Sequence, residues 1–389
     1  MTPSPGAPSA PSAPPALVTG ATGLVGGAIV LELLRRTDAD VFCLARDGRH
    51  ESATERVRRI LTRTAADYGM RDVTGAIAAR CRVLPGDITA PGCGIPEDLL
   101  PPEVGEVWHA AASLKFRDRD RAGIELHNVT GTRNVTGLAV RLGARAFDLV
   151  STAYVVGDRT GLLTEEPVPA DCRPNNAYES SKMAAEALVH DLPVDTVRIL
   201  RPGIVIGHSE TLAAPTTFGL YTFVDELIAF RAAIEPRLGN YLDHYSVAML
   251  GDPATRGNLI PVDAVAAAAV RLGRAGAPGG IYHLTNSEPT RLGEALTALT
   301  AALGIRAPRW VSDRAELTTI DDVLNRELDF QGAYMRQDKV FDATRARQYC
   351  ADLLTVPLGP GRIGEFVTRY LKDGAAEQVR ALRKAAPRV

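Results

Sequence analysis

The chain has 389 residues, 46% of them hydrophobic, and a formal net charge of −2. That length fits two domains, or one enlarged domain, around a sizeable core. The near-neutral balance gives no reason to expect nucleic acid or an acidic membrane surface as partner, and no apolar run reaches bilayer-spanning length.

The five cysteines, at 43, 81, 93, 172 and 350, are odd in number and irregularly spaced. This argues against a disulfide framework or a zinc site, and the seven histidines add no ligand spacing. No metal is therefore expected. Reduced thiols point to the cytoplasm. Arginine dominates the basic residues, with lysine only at 115, 182, 339, 372 and 384; that usage fits a high-GC bacterial genome.

Residues 1–15, rich in Pro, Ala and Ser, lack the basic start and apolar centre of a signal peptide and read as a disordered tail. Residues 16–19 read as a short buried strand. It runs into Thr19-Gly20-Ala21-Thr22-Gly23-Leu24-Val25-Gly26. A helix follows, from about Leu24 to Arg36, with Val25, Ile29 and Leu33 on one face. Gly20 permits the sharp strand-to-helix turn. Gly23 and Gly26 allow close approach of a pyrophosphate, and the helix N-terminus offers it free N–H groups. The cofactor contacts expected here are Gly20, Thr22, Gly23, Leu24, Val25 and Gly26.

A second strand, Val41–Ala45, ends on Arg46, about 20 positions beyond the glycine loop. A dinucleotide fold brings that position to the adenosine ribose. Asp or Glu there suits NAD, and Arg suits the 2′-phosphate of NADP. Arg46 therefore favours NADPH, Arg56 on the next helix adds a second charge, and Asp47 points the other way. A third strand, Arg80–Leu84, leads to Asp87 and Ile88; a carboxylate there can meet the adenine amine or cap a turn. A fourth runs from Glu106 and ends in Ala110, Ala111 and Ala112, small enough for a cofactor to lie against the backbone. His109 reads as structural.

A helix is expected over about 121–142. A strand over 147–152 follows, then a helix at 177–190 and a strand at 197–200 that leads to Arg201, Pro202 and Gly203. Strands alternating with helices make a parallel, doubly wound α/β sheet of Rossmann type. Residues 209–258 show no clear alternation and carry aromatics at 218, 221, 223 and 230. Residues 258–262 and 280–284 read as short strands returning to the main body. The expected organisation is a tail at 1–15, a cofactor-binding domain at 16–208 with 258–285 returning to it, and a smaller, mostly helical substrate domain at 209–389.

The chemistry concentrates at Tyr178-Glu179-Ser180-Ser181-Lys182. Tyr and Lys at i and i+4 share a helical face. A nearby ammonium stabilises a phenolate, and the pair can pass a proton to or from a substrate oxygen. Thr152, at the end of the fifth strand, can hydrogen-bond that oxygen; Ser151 is the competing candidate.

These motifs resemble the extended short-chain dehydrogenase/reductases, and more closely their thioester-reductase and fatty acyl-CoA reductase branch. The resemblance rests on Thr19–Gly27, Gly86-Asp87-Ile88, His109–Ala112, Asn128–Thr132, Val150–Tyr154, Asn176–Lys182 and Arg201-Pro202-Gly203, and covers about residues 16–290. It implies that Thr152 binds the substrate oxygen, Tyr178 donates the proton and Lys182 meets both phenol and ribose. It further implies that Gly20, Gly23 and Gly26 hold the pyrophosphate, Arg46 the 2′-phosphate, and Asp87 and Ile88 the adenine, with Pro202 and Gly203 beside the cofactor. The activity implied is NADPH-dependent reduction of an acyl thioester to aldehyde or alcohol. With no carrier or adenylation domain in the sequence, the substrate is expected on CoA or a separate carrier protein. The alternatives are a ketone or aldehyde reductase, an alcohol dehydrogenase and, against Arg46, a nucleotide-sugar epimerase. Ala153-Tyr154 speaks against a sugar dehydratase. A non-catalytic nucleotide sensor on the same fold is disfavoured because Tyr178 and Lys182 are both present.

Overall fold

The computed structural model describes residues 13–375. Residues 1–12 of the expected tail and 376–389 of the expected substrate domain lie outside the described residues.

Seven strands form the main sheet: β1 (Ala16–Thr19), β2 (Val41–Ala45), β3 (Cys81–Pro85), β4 (Glu106–His109), β5 (Ala146–Val150), β6 (Thr196–Pro202) and β7 (Gly280–Leu284). Every pairing is parallel, in the order β7-β6-β5-β4-β1-β2-β3. The order reverses beside β1, and the crevice at the carboxyl ends of β1 and β4 is where such sheets bind ligands. The strands are short and apolar because both faces are covered. Helices α1 (Leu24–Arg36) and α2 (Ala53–Asp67) pack on one face, and α3 (Gly131–Arg141) and α4 (Ala177–His190) on the other. A capping box of Ser52 and Glu55 starts α2.

The single helix expected over 121–142 is broken. A short helix, Arg121–Glu125, passes into a π-helical turn, Leu126–Thr130, before α3 begins. Such a turn adds a residue and re-aims the side chains it carries. The strand expected to reach Thr152 stops at Val150, so Ser151 and Thr152 stand beyond it. Residues 280–284 join the main sheet as its edge strand β7. Leu259–Pro261 instead pairs with Ile204–Ile206 in a separate two-stranded ladder.

The largest difference falls in 209–258, expected to be irregular. It holds a 19-residue helix, α5 (Leu220–Leu238). Apolar residues occur around much of this helix and Pro236 sits near its end, so neither periodicity nor a clean stop marks it in the sequence. Beyond it come α6 (Val262–Arg274), which packs with α1 on the sheet, α7 (Leu292–Ala302), α8 (Asp329–Arg336) and α9 (Pro360–Tyr370). Tyr221, Phe223, Val224, Leu299, Leu328 and Val367 share a second core outside the sheet. Among the described residues no helix is long and apolar enough to cross a membrane.

Candidate active site

The glycine loop turns as its residue types require. Gly20 has φ +75°, and a Cβ there would stand 2.7 Å from the Ala111 amide nitrogen. A Cβ at Gly26 would meet the Gly20 carbonyl oxygen at 2.3 Å. The loop is therefore pressed onto Ala110 and Ala111, which follow β4 rather than ending it, and admits no side chain at either glycine. Gly23 caps α1 without a side-chain hydrogen bond, so the amides of the first turn, at Leu24 and Val25, are left for a ligand; Thr22 lies in the same turn. The cradle fits a dinucleotide pyrophosphate.

Thr19 and His109 brace this cradle from below. The Thr19 hydroxyl lies 2.7 Å from His109 Nδ1 and accepts from the Ala111 N–H at 3.1 Å. His109 Nε2 lies 3.0 Å from the Thr132 hydroxyl. Burial, reinforced by Lys182, drives the imidazole down to about 3, so it stays neutral. His109 is a strut between β1, β4 and α3.

Arg46 and Asp87, expected at opposite ends of an adenosine, lie beside each other. An Arg46 guanidinium nitrogen is 3.6 Å from an Asp87 oxygen, with both side chains substantially exposed. Burial pushes the Asp87 carboxyl up, but the Thr89 N–H and hydroxyl, at 2.9 and 2.8 Å, and Arg46 outweigh it and hold it low. Asp47 accepts from the Ala53 N–H at 2.8 Å at the start of α2; a carboxylate so engaged is a weaker rival for a ribose. The Nε of Arg56 is buried and has no partner among the described residues. Ile88 packs against Gly131, and its carbonyl accepts from Asn134 Nδ2 at 2.7 Å. Pro202 closes β6. A Cβ on Gly203 would stand 2.5 Å from Asn258 Oδ1, so packing alone demands glycine there.

Lys182 is 3% exposed, and its Nζ donates to the Val150 carbonyl at 2.7 Å. Burial lowers its pKa to about 8, against the opposing pull of Glu186. Two residues past that carbonyl, the Thr152 Oγ1 accepts from the Tyr154 N–H at 3.2 Å and keeps its own proton for another acceptor. The Ser151 Oγ is buried without a partner among the described residues. Tyr178 lies in the first turn of α4, one turn before Lys182. The sequence reading expects Lys182 to lower the phenol pKa. The structure shows the reverse: burial and then the neighbouring Glu179 push Tyr178 up. The group therefore stays a phenol at neutral pH.

Asn128 was missed by sequence reasoning as a site residue. The π-helical turn aims its side chain at the loop after β4, where Oδ1 accepts from the Ser113 N–H at 2.6 Å. Its Nδ2 donates to the Ser113 carbonyl at 3.0 Å and to the Ser181 hydroxyl at 2.8 Å. Ser181 in turn donates to the Tyr178 carbonyl at 2.7 Å. Asn128 thus ties α4 to the loop after β4. Its motif, Asn128–Thr132, was the only signal. Of the aromatics at 218, 221, 223 and 230, Tyr221, Phe223 and Phe230 are buried in the second core, and only Phe218 is exposed.

A family model described as male sterility protein, of the NAD-binding type, matches residues 18–269. The chain is 31% identical over 208 residues to one of the linear gramicidin synthase proteins of Brevibacillus parabrevis, covering 50% of this chain and 4% of that one. It is 28% identical over 182 residues to fatty acyl-CoA reductase 1 of Mus musculus, covering 45% and 35%. The crystal structure of the terminal R domain from the myxalamid PKS-NRPS biosynthetic pathway superimposes with a TM-score of 0.74 at 26% identity, covering 95% and 93%. The chain thus spans well under half the length of these two curated relatives, and nearly all of the R domain.

Proposed function

The chain belongs to the NAD-binding family described as male sterility protein and is an extended short-chain dehydrogenase/reductase-type oxidoreductase using a nicotinamide cofactor; from that premise we propose that it uses NADPH to reduce an acyl thioester, carried on CoA or a carrier protein, to an aldehyde or alcohol. The observation that carries the reading is the convergence at the end of β5. Lys182 is anchored on Val150, Thr152 stands two residues beyond, and Tyr178 lies one helical turn away. Residues 16–208, with 258–285 returning to them, form the cofactor part, and the rest of 209–389 admits the substrate. Arg46 and the unpartnered Arg56 Nε supply positive charge for a 2′-phosphate. The setting is cytoplasmic.

When bound, the cofactor supplies a hydride to the carbonyl carbon. The Thr152 hydroxyl donates to the carbonyl oxygen and fixes its direction. As that oxygen gains negative charge, Tyr178, held as a phenol by burial, passes it a proton. Lys182 holds its charge beside the phenol and draws its own position from the Val150 carbonyl. The resulting hemithioacetal expels the thiol and leaves an aldehyde. The 214–219 loop, with Phe218 exposed, is the stretch left to cover an acyl chain.

The test follows free thiol and NADPH oxidation together, with a panel of acyl-CoAs and acyl-carrier-protein thioesters. Thiol release in step with NADPH oxidation is expected. If no thioester releases thiol while a simple ketone or aldehyde is reduced, the enzyme is a carbonyl reductase instead.

A further inference from the structure

The first turn of α4 carries Tyr178 between two residues tied to a helix far downstream. Asn176 caps α4, its Oδ1 accepting from the Glu179 N–H at 2.9 Å. Glu179 reaches back, accepting from the Asn175 N–H at 2.6 Å. Tyr334 of α8 places its hydroxyl between them, donating to Glu179 Oε1 at 2.5 Å and accepting from Asn176 Nδ2 at 3.2 Å. The ring of Tyr334 stands edge-on to Tyr154, centroids 5.0 Å apart and planes at 90°. Tyr154 supplies the N–H that Thr152 Oγ1 accepts, and its own hydroxyl accepts from the Asn258 N–H at 3.3 Å. One side chain therefore touches both the turn that carries Tyr178 and the turn that follows Thr152.

We propose that Tyr334 and Glu179 are positioning residues, through which the C-terminal segment sets the placement of Tyr178 relative to Thr152. The inference rests on the proposed roles of those two residues. Its physical basis is the state of Glu179. Its carboxylate is buried, and a buried carboxylate must be hydrogen-bonded or neutralised. Besides Tyr334, its Oε1 has only Asn175 Nδ2 among the described residues, at 3.3 Å. Burial raises the Glu179 pKa, and the Tyr334 hydroxyl works against that rise. Without the hydroxyl, the first turn of α4 loses its tie to α8, and only the ring contact between Tyr334 and Tyr154 remains. Displacements of about 1 Å at a reacting group cost on the order of 10²-fold in rate.

The test compares wild type with Tyr334→Phe, Glu179→Gln, the double variant and Tyr178→Phe. NADPH affinity is titrated, melting is recorded, and turnover is measured with octanoyl-CoA or octanal, whichever the wild type reduces faster. Tyr334→Phe is expected to lower kcat about tenfold while KM and the NADPH Kd stay within about twofold. Glu179→Gln is expected to match it, and the double variant to be no slower than the slower single variant. A Tyr334→Phe enzyme within twofold of wild-type kcat, alongside an inactive Tyr178→Phe, overturns the inference and leaves the catalytic reading standing. A fully active Tyr178→Phe overturns that reading itself. Losses that multiply in the double variant, or a loss of NADPH affinity as large as the loss of kcat, overturn the pairing.

Discussion

The two ends of the crevice are built differently. At the end proposed for the adenosine, Arg46 and Asp87 face each other at 3.6 Å with side chains 57% and 35% exposed. At the proposed catalytic end, Thr152, Lys182, Asn128 and Glu179 are all buried, and each is hydrogen-bonded. Exposed charges are screened and replaceable, which suits the proposed role of Arg46 in choosing the cofactor. Buried polar groups are worth most when every partner is present, so they hold one geometry. A change at the buried end is therefore expected to cost rate, and a change at the exposed end only selectivity.

The sharpest way to break this contrast is Tyr178→Phe. The proposed proton donor is lost while the packing ring remains. Turnover is expected to fall by about 10² or more with NADPH still bound, measured by steady-state rates and fluorescence titration. A variant within twofold of wild type removes Tyr178 from the mechanism. Lys182→Ala is expected to damage turnover and NADPH affinity together.

Asn128→Ala comes next. It leaves the Ser113 N–H, the Ser113 carbonyl and the Ser181 hydroxyl without their buried partner. About 1–3 kcal/mol of stability is expected to go, read by denaturant unfolding, together with turnover. Unchanged stability would mean that water replaces the amide and that the buried end is less exacting than argued.

At the exposed end, Arg46→Ala is expected to weaken NADPH about tenfold and leave NADH nearly unchanged; solvent screening keeps this below the effect of a buried pair. Equal losses for both cofactors would make Arg46 structural. Adding Arg56→Ala is expected to weaken NADPH further and again spare NADH, because it removes the second positive charge proposed for the 2′-phosphate.

How much of this was legible in the sequence follows from the range of each interaction. The glycine loop, the short buried strands and the Tyr178–Lys182 spacing are local patterns, and local patterns survive in one dimension. The parallel, doubly wound sheet followed from strand–helix alternation. The brace on Asn128 did not, because it depends on a π-helical turn with no compositional mark. Neither did the bond from Tyr334 to Glu179, which spans 155 positions. Helix α5 was hidden by apolar residues spread around its surface and by Pro236. The Arg46–Asp87 pair joins two residues that sequence reasoning had placed separately, on ribose and adenine.

The smallest effect is one of pH, and its sign separates chemistry from unfolding. Burial lowers Lys182 from its ordinary 10.5 to about 8. In the free enzyme the ammonium is then lost as pH rises through about 8, and kcat/KM is expected to fall on the alkaline side with that midpoint. Stability moves the other way. The unfolded chain keeps its Lys182 proton up to about 10.5 while the folded chain has released it. Between those values the unfolded state binds more protons, so this residue's contribution to stability rises with pH. Activity falling through pH 8 in a protein that melts no lower is therefore the expected pattern. Lys182→Arg keeps its charge across the range and is expected to remove the alkaline limb, at a lower rate overall. An alkaline limb that persists unchanged in Lys182→Arg would assign it to another group.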